Sequence, residues 1–510
     1  MSGTLLSLFV AVPLLTGGLL AVVSTWRRTA TIVLMAVLVA SVAGGAVLIV
    51  GAAGGDIIAE PVGLWPFGIA IPFVADMFTA LMLTVTALLT TVVCAFAVAS
   101  GHTSRRFFPT LVLILTAGVN GALLTADLFN LFVFIEVMLL SAYGLLVMAA
   151  PGKADLERIK GARLYVTVNL MASTVFLAGV GFLYGVAGTV NMAELAGQAQ
   201  ESTAVALAGA VCLFALMIKA CVVPVHGLLV RTYTVTSPVV TALFSSLHTK
   251  VAIYAIYRIY AVVYGGDEQY LWVGLVMFTV SMIVGALGAV GETTMRSILT
   301  FQGVSHFGYI LLGVALFSPL GLAAGIFYML HNMVVKASMF LTTAAIEVTY
   351  GNATLGKVKG LAKREPLIAV AFFLAALSLV GIPPFSGFVG KLALLIASFD
   401  AGQWLVASIA IAVSVITLLS MIKIWSEIFW GKHHPESDTV KDVPTSTLGN
   451  GQSTVNMKRR IGAGLIAPPL ALAVLTLALG LGGTFLLDLT QVAADSLVDT
   501  TGYVEAVTNP

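Results

Sequence analysis

Charge is scarce in this chain. Asp, Glu, Lys and Arg make up 9% of its 510 residues, 25 basic against 23 acidic, for a net charge of +2. A soluble domain carries about a quarter of its residues as charges, so a soluble globular or disordered chain is excluded. So small a net charge gives no footing for nucleic-acid binding. Cysteine is scarcer still: Cys94, Cys212 and Cys221 all lie in apolar segments, which reads as packed thiols and not as a disulfide framework. A Gly-rich phosphate loop, a CxxC pair and a haem-ligand pattern are also missing. His433 and His434 stand in a hydrophilic stretch with no cysteine to complete a metal site. No enzyme site, cofactor or metal is expected.

Apolar residues fill the rest. They make up 59% of the chain, and mean hydropathy is +1.05, the composition of an all-α polytopic membrane protein whose first partner is the lipid bilayer. At about 20 apolar residues per crossing, about 14 transmembrane helices are expected. They run over 3–25, 30–52, 73–99, 107–125, 127–150, 164–189, 203–230, 238–264, 270–291, 296–317, 319–349, 366–399, 403–430 and 461–487. The first run lacks a basic leader and has Arg27 and Arg28 behind it, so it reads as a retained span and not a signal peptide. Loop cations fall after every odd span, from Arg27 and Arg28 through Arg105 and Arg106, Lys153 to Arg163, Arg231, Arg296, Lys357 to Arg364, and Lys432 to Arg460. The intervening loops carry Asp56, Glu60, Glu194, Glu201, Asp267 and Glu268 and no Lys or Arg. By the positive-inside rule both termini are then extracytoplasmic.

Six cations lie inside the spans: Lys219, Lys250, Arg258, Lys336, Lys391 and Lys423, with Glu136 in the same setting. A charge at mid-membrane costs roughly 2.5 to 3.5 kcal/mol even on lenient scales, and function is its default reading. Glu136 lies nine residues beyond Asp127, roughly 13 Å into the bilayer. Its neighbours one turn away are Phe132, Val133, Leu139 and Leu140, so its partner must come from another helix. Lys219 and Lys391 likewise lack a partner on their own helices. His248 and Lys250 are two residues apart, about 200° round a helix, and face different neighbours. His331 precedes Lys336, and His306 is deep in span ten. These groups form a candidate proton relay of Glu136, Lys219, Lys250, His248, His331, Lys336 and Lys391, with His226, His306 and Lys423 as lesser members. Static helix-packing ion pairs are the competing reading. Arg258 is expected to snorkel to the interface, and Lys423 to pair locally with Glu427. Asp76 and Asp127, at the ends of spans three and five, are the carboxylates that could attract Na+, with plain solvation as the alternative.

Two spans are interrupted by proline, at KACVVPVHG (219–227) and GIPPFSGFVGK (381–391). Proline removes a donor and clashes with the preceding turn, so both helices should open there and expose carbonyls. They are spans seven and twelve, an odd number apart, so matching positions cross the membrane in opposite directions. An inverted repeat follows if the pairing is not chance.

The runs TADLFNLFVFIEVMLLSAYGLL (125–146), KACVVPVHGLL (219–229), the SP and HTK of 237–250 and GIPPFSGFVGK (381–391) resemble the antiporter-like subunits shared by Mrp-type multisubunit cation/proton antiporters and respiratory complex I. The likeness covers roughly 70–430 and is strongest to the D-type branch of the Mrp group. It implies a 14-helix fold with two inverted five-helix repeats, spans four to eight and nine to thirteen, and broken helices seven and twelve. The parts would then be 1–106, 107–264, 270–430, a cytoplasmic loop at 431–460, and a last helix with an extracytoplasmic tail at 461–510. It also implies a key glutamate at Glu136, lysines at Lys219, Lys391 and Lys250, and central relay candidates at His331 and Lys336. The implied partners are other subunits of a hetero-oligomeric complex, H+ and Na+, in a prokaryotic cell membrane. The M-type complex I subunit has a glutamate where this chain has Lys391, and the L-type and A-type relatives extend far past span fourteen. The expected function is proton translocation within a Na+/H+ antiporter. A redox-driven complex I or hydrogenase arm and a non-conducting scaffold are the alternatives.

Overall fold

In the computed structural model of the chain, which describes residues 5–22, 27–65, 70–148, 156–431 and 460–508, ten helices are long and apolar enough to cross a membrane, and four shorter apolar helices accompany them. Leaving aside single turns, the helices are α1 (Leu8–Val22), α2 (Arg27–Ala52), α3 (Met77–Ala99), α4 (Phe108–Leu124), α5 (Leu128–Met148), α6 (Leu156–Ala187), α7 (Thr203–Lys219), α8 (Gly227–Tyr233) and α9 (Pro238–Val262). There follow α10 (Leu271–Gly291), α11 (Met295–Leu316), α12 (Pro319–Tyr350), α13 (Pro366–Val380), α14 (Ser386–Asp400), α15 (Trp404–Ile424), α16 (Ala463–Leu481), α17 (Gly483–Val498) and α18 (Thr501–Thr508). Each of the fourteen expected segments overlaps at least one of them, with α6 starting eight residues earlier than expected. The segments at 203–230 and 366–399 each hold two, α7 with α8 and α13 with α14, because the chain leaves helical geometry between them. The loop expected at 431–460 lies outside the described residues except for its first and last positions.

The helix starts follow local chemistry. Ser237, Thr294 and Ser318 cap α9, α11 and α12 by accepting from the backbone N–H groups of Val240, Ser297 and Gly321, and Pro238 and Pro319 occupy the first helical positions of α9 and α12. These three helices are the least hydropathic of the ten, yet they are almost wholly buried. In lipid the apolar residues can face outward, so the polar ones gather inside. α12 is the central pillar, packing on α3, α9, α11, α13, α14, α16 and α17.

Two features depart from the expected plan. A two-stranded antiparallel ribbon pairs β1 (Ile58–Pro61) with β2 (Pro72–Ala75) between α2 and α3, in the register Ile58 to Ala75. Its Glu60 accepts from the backbone N–H and the hydroxyl of Ser7, both at 3.0 Å, and so ties the start of α1. The expected extracytoplasmic tail is helical. α17 buries Leu486, Ala493, Ala494 and Leu497 on one face, and α18 buries Tyr503 and Val507. A polar composition hid this amphipathic spacing, which buries a stripe without needing a continuous apolar run.

α10 and α11 form a tight hairpin at Gly285, where an added Cβ would lie 2.2 Å from the Ser305 backbone nitrogen and 2.8 Å from the Phe301 carbonyl oxygen. Neither backbone atom can yield as a side chain would. Gly285→Ala is therefore expected to cost about 1–3 kcal/mol, read as a lower unfolding temperature of the purified protein. Gly291→Ala, whose Cβ would meet nothing within 4 Å, should leave that temperature unchanged.

Candidate functional site

The first cluster forms where α5, α6 and α7 meet. Glu136 has no polar residue one turn away on its own helix, and Ser173 of α6 donates its hydroxyl to Glu136 Oε1. Lys219, the last residue of α7, donates from Nζ to Ser173 Oγ at 2.6 Å and to the Asn169 carbonyl at 3.5 Å. Its Nζ is 4.0 Å from Glu136 Oε1. The serine thus accepts from the ammonium and donates to the carboxylate. Beside it lies a cavity lined by Tyr165, Asn169, Lys219, His248 and Thr249, with about 20 Å³ of room for water centres, enough for one molecule. His248 Nδ1 meets the Tyr165 hydroxyl at 2.8 Å, and its ring stacks on Phe244.

The second cluster is central. Lys250, 1% exposed, donates to the Ser245 carbonyl of its own helix and sits 4.8 Å from the Phe307 ring centroid on α11. His248 and Lys250 therefore look toward α6 and α11 respectively. Ser246 and Tyr254, one turn to either side of Lys250, bond elsewhere: Ser246 to the Ala242 carbonyl and Tyr254 to the Leu123 carbonyl. Lys336, also 1% exposed, donates to the Leu299 carbonyl of α11 at 2.8 Å.

The third cluster surrounds the second break. Lys391 of α14 reaches back to the Val380 carbonyl at 2.8 Å and to Ser414 Oγ of α15 at 3.1 Å, with its Nζ 5.1 Å from the Tyr309 ring centroid. Gly381 makes this possible. Its φ of +92° suits glycine, and a Cβ there would lie 2.9 Å from Lys391 Cδ. His331 Nδ1 meets Ser386 Oγ at 2.8 Å, and His306 Nδ1 meets the Tyr328 hydroxyl at 2.7 Å. Both breaks contain one cis X–Pro bond, Val223–Pro224 and Pro383–Pro384. The two lysines differ in place: Lys219 ends the half-helix before its break, whereas Lys391 belongs to the half after. The Lys391 ammonium lies at the C-terminal end of α13, the negative end of the helix dipole, whereas Lys219 is itself the last residue of α7 and sends its ammonium to α6.

Among the described residues, Lys250, Lys336 and Lys391 have no carboxylate within 4.0 Å. His248 Nε2, Thr249 Oγ1, Gln302 Nε2, His306 Nε2, His331 Nε2 and both amide atoms of Asn332 are buried without a protein partner. Sequence reasoning missed Ser173, Tyr165, Tyr328, Ser386 and Ser414, hydroxyl residues within apolar runs that could have been searched for as partners. It could not have found the carbonyls of Ser245, Leu299 and Val380.

Other expected residues lie apart from this line. Arg258 does not snorkel. It is 2% exposed because Asp76 offers both carboxylate oxygens inside the bundle, at 2.7 and 2.8 Å, with the Tyr503 ring 4.9 Å away. Asp76 also caps α3 through Thr79 N at 2.9 Å, so both oxygens are already held by protein donors. Asp127 caps α5 through Asn130 N at 2.7 Å. Lys423 does not pair with Glu427: it donates to the Val290 and Glu292 carbonyls at 2.7 and 2.8 Å, closing the end of α10, while Glu427 faces Lys359 at 3.5 Å. The carbonyls left open at the end of α10 hold the ammonium in place of Glu427, which lies in a π turn over Trp425–Phe429. His226, at the start of α8, has a buried Nδ1 with no protein partner and lies near Phe301.

The family model described as NADH:quinone oxidoreductase/Mrp antiporter, TM, matches residues 125–417. The chain belongs to this family. The matched stretch contains Glu136, Lys219, Lys250, Lys336 and Lys391 and all three clusters. The chain is 36% identical over 457 residues to the D-type subunit of the Na+/H+ antiporter of Alkalihalophilus pseudofirmus, covering 88% of this chain and 87% of that one. It superposes on a chain of the Mrp complex from Dietzia sp. DQ12-45-1b with a TM-score of 0.94 and 55% identity, over 99% of both chains. A chain of the membrane-bound sulfane sulfur reductase, an archaeal respiratory membrane complex, matches with a TM-score of 0.87 and 25% identity over 99% of both.

Within this family fold, the Arg258–Asp76 pair provides a test of Asp76. Asp76→Ala strands a buried guanidinium and is expected to destabilise the protein by about 3–5 kcal/mol, seen as a lower unfolding temperature. The unfolding temperature should not depend on Na+ in either form; a Na+-dependent rise lost on substitution would mark Asp76 as a ligand instead.

Proposed function

We propose that the chain is the proton-translocating D-type membrane subunit of a multisubunit Na+/H+ antiporter, with partner subunits in the same membrane. The similarity to the D-type antiporter relative and to the Mrp complex chain supports the assembly. The 55% identity to the Mrp chain against 25% to the reductase chain favours this over a redox-driven arm. The observation that carries the proton role is the Glu136–Ser173–Lys219 group beside the first break. Ser173 can take a proton from Nζ while passing its own to the carboxylate, so the group can exchange charge without moving its helices.

Coulomb attraction across 4.0 Å is about 4 kcal/mol at an effective dielectric of 20, before desolvation. Protonating Glu136 removes that attraction and frees Lys219 to release its proton toward the His248 cavity. From there the route follows α9 to Lys250, then Lys336, then the His331 and His306 groups, and ends at Lys391. The buried ring nitrogens and the Asn332 amide offer donors and acceptors to intervening water. Each step changes the field at the next ammonium, which favours alternating charge along the row. The same reading divides the chain into helices 1–106, two inverted five-helix units at 107–264 and 270–430, a cytoplasmic loop at 431–460, and the closing segment at 461–510. It places both termini outside a prokaryotic cell membrane.

Glu136→Ala, Lys219→Ala and Lys391→Ala are each expected to lower cation/proton exchange by about tenfold or more in everted vesicles containing assembled complex, since each leaves or removes a buried charge. Lys423→Gln, outside the line, should stay within about twofold, the effect of a few tenths of a kcal/mol. Normal exchange in assembled Glu136→Ala and Lys219→Ala complexes would support a scaffold role and end the relay reading.

A further inference from the structure

At the end of the bundle that bears the basic loops, a groove opens between α6, α8 and the α10–α11 turn, with about 720 Å³ of room. Lys160 and Arg163 reach it from the start of α6, and Arg231 from α8; all three are exposed. Glu292 is the acidic residue in its lining, and Lys423 brings another ammonium to the Glu292 carbonyl at 2.8 Å. The groove is therefore net positive. Its wall is already held in place: Arg296 donates to the carbonyls of Thr234 and Thr236 at 3.1 and 2.6 Å, and its other terminal nitrogen pairs with Glu347.

We propose that this groove seats the phosphate of an anionic phospholipid, with an acyl chain lying along α6. The second part follows from one helical ridge. Arg163, Thr167, Leu170, Thr174 and Leu177 succeed one another at spacings of three and four and are all exposed, so a cationic start runs into an uncharged track in which leucines alternate with threonines and the Thr174 hydroxyl is turned back to the Leu170 carbonyl. A soluble phosphate needs only the first half of that surface; a phospholipid matches both. Basic pockets between helices at the cytoplasmic rim are where anionic headgroups are held. The cations come from segments far apart in sequence and meet only in the fold.

The test uses the assembled complex, reconstituted with phosphatidylglycerol and phosphatidylcholine in equal amounts, washed in detergent and weighed by native mass spectrometry. The intact complex should retain phosphatidylglycerol preferentially. Each cation near such a surface contributes roughly a fivefold factor, so Arg163→Gln or Arg231→Gln alone should lower retention about fivefold, and together about twenty-fivefold. Lys357→Gln, an exposed cation of another loop, should change nothing. Leu170→Asp, which leaves the cations in place but interrupts the uncharged track, should also lower retention. Equal retention of the two lipids, or retention unchanged in assembled single variants, would overturn the proposal. So would displacement of the lipid by millimolar inorganic phosphate, which would mark a soluble-anion site.

Discussion

The structure depends on holding ammonium groups in a low-dielectric interior without neutralising them. An isolated buried charge costs several kcal/mol, and a close carboxylate is the usual remedy. Here the remedy differs from one buried cation to the next, and Lys219 combines the Ser173 hydroxyl at 2.6 Å with the Glu136 carboxylate at 4.0 Å. Among the described residues the two buried arginines meet carboxylates, Arg258 with Asp76 and Arg296 with Glu347. Lys250, Lys336 and Lys391 meet main-chain carbonyls, those of Ser245, Leu299 and Val380. Arginine stays charged in a protein and its planar fork suits a fixed pair, whereas lysine can give up its proton. A neutral carbonyl holds an ammonium without fixing its charge. The arginines thus act as joints of the frame, and the lysines are left able to titrate.

The helix breaks belong to the same solution. A carbonyl within a helix can accept a second donor on its other lone pair, as those of Ser245 and Leu299 do, whereas a terminus leaves carbonyls with no helical partner at all. The break after Val380 supplies one to Lys391, and α7 ends at Lys219 itself. α11 then connects the parts. Its Leu299 carbonyl receives Lys336, its Phe307 ring faces Lys250, and its Tyr309 ring faces Lys391. One helix touches three of the four relay lysines, so a shift of α11 would be felt by all three.

Much of the fold was legible in the sequence because lipid imposes a simple rule: apolar runs of fixed length become helices. That rule located α1 to α16 and both interruptions. It failed at α17 and α18, where amphipathic segments pack with only one apolar stripe, and at the short ribbon of β1 and β2. For the site, composition singled out Glu136 and the lysines because a charge in an apolar run stands out. It misjudged Arg258 and Lys423, whose partners, Asp76 and the end of α10, are 182 and more than 130 residues away in sequence.

By itself the sequence determined that the chain lies in a membrane, where its helices run and break, and that Glu136 and the relay lysines stand inside apolar runs. Each of these follows from local composition and from the cost of polar groups in lipid. The tertiary structure alone decided which buried charges are structural and which stand without a carboxylate, that Ser173 bridges Glu136 and Lys219, and that scattered cations converge on one groove. Those outcomes depend on distances between helices, and partners contributed by another helix, above all backbone carbonyls, leave no mark in the residue order.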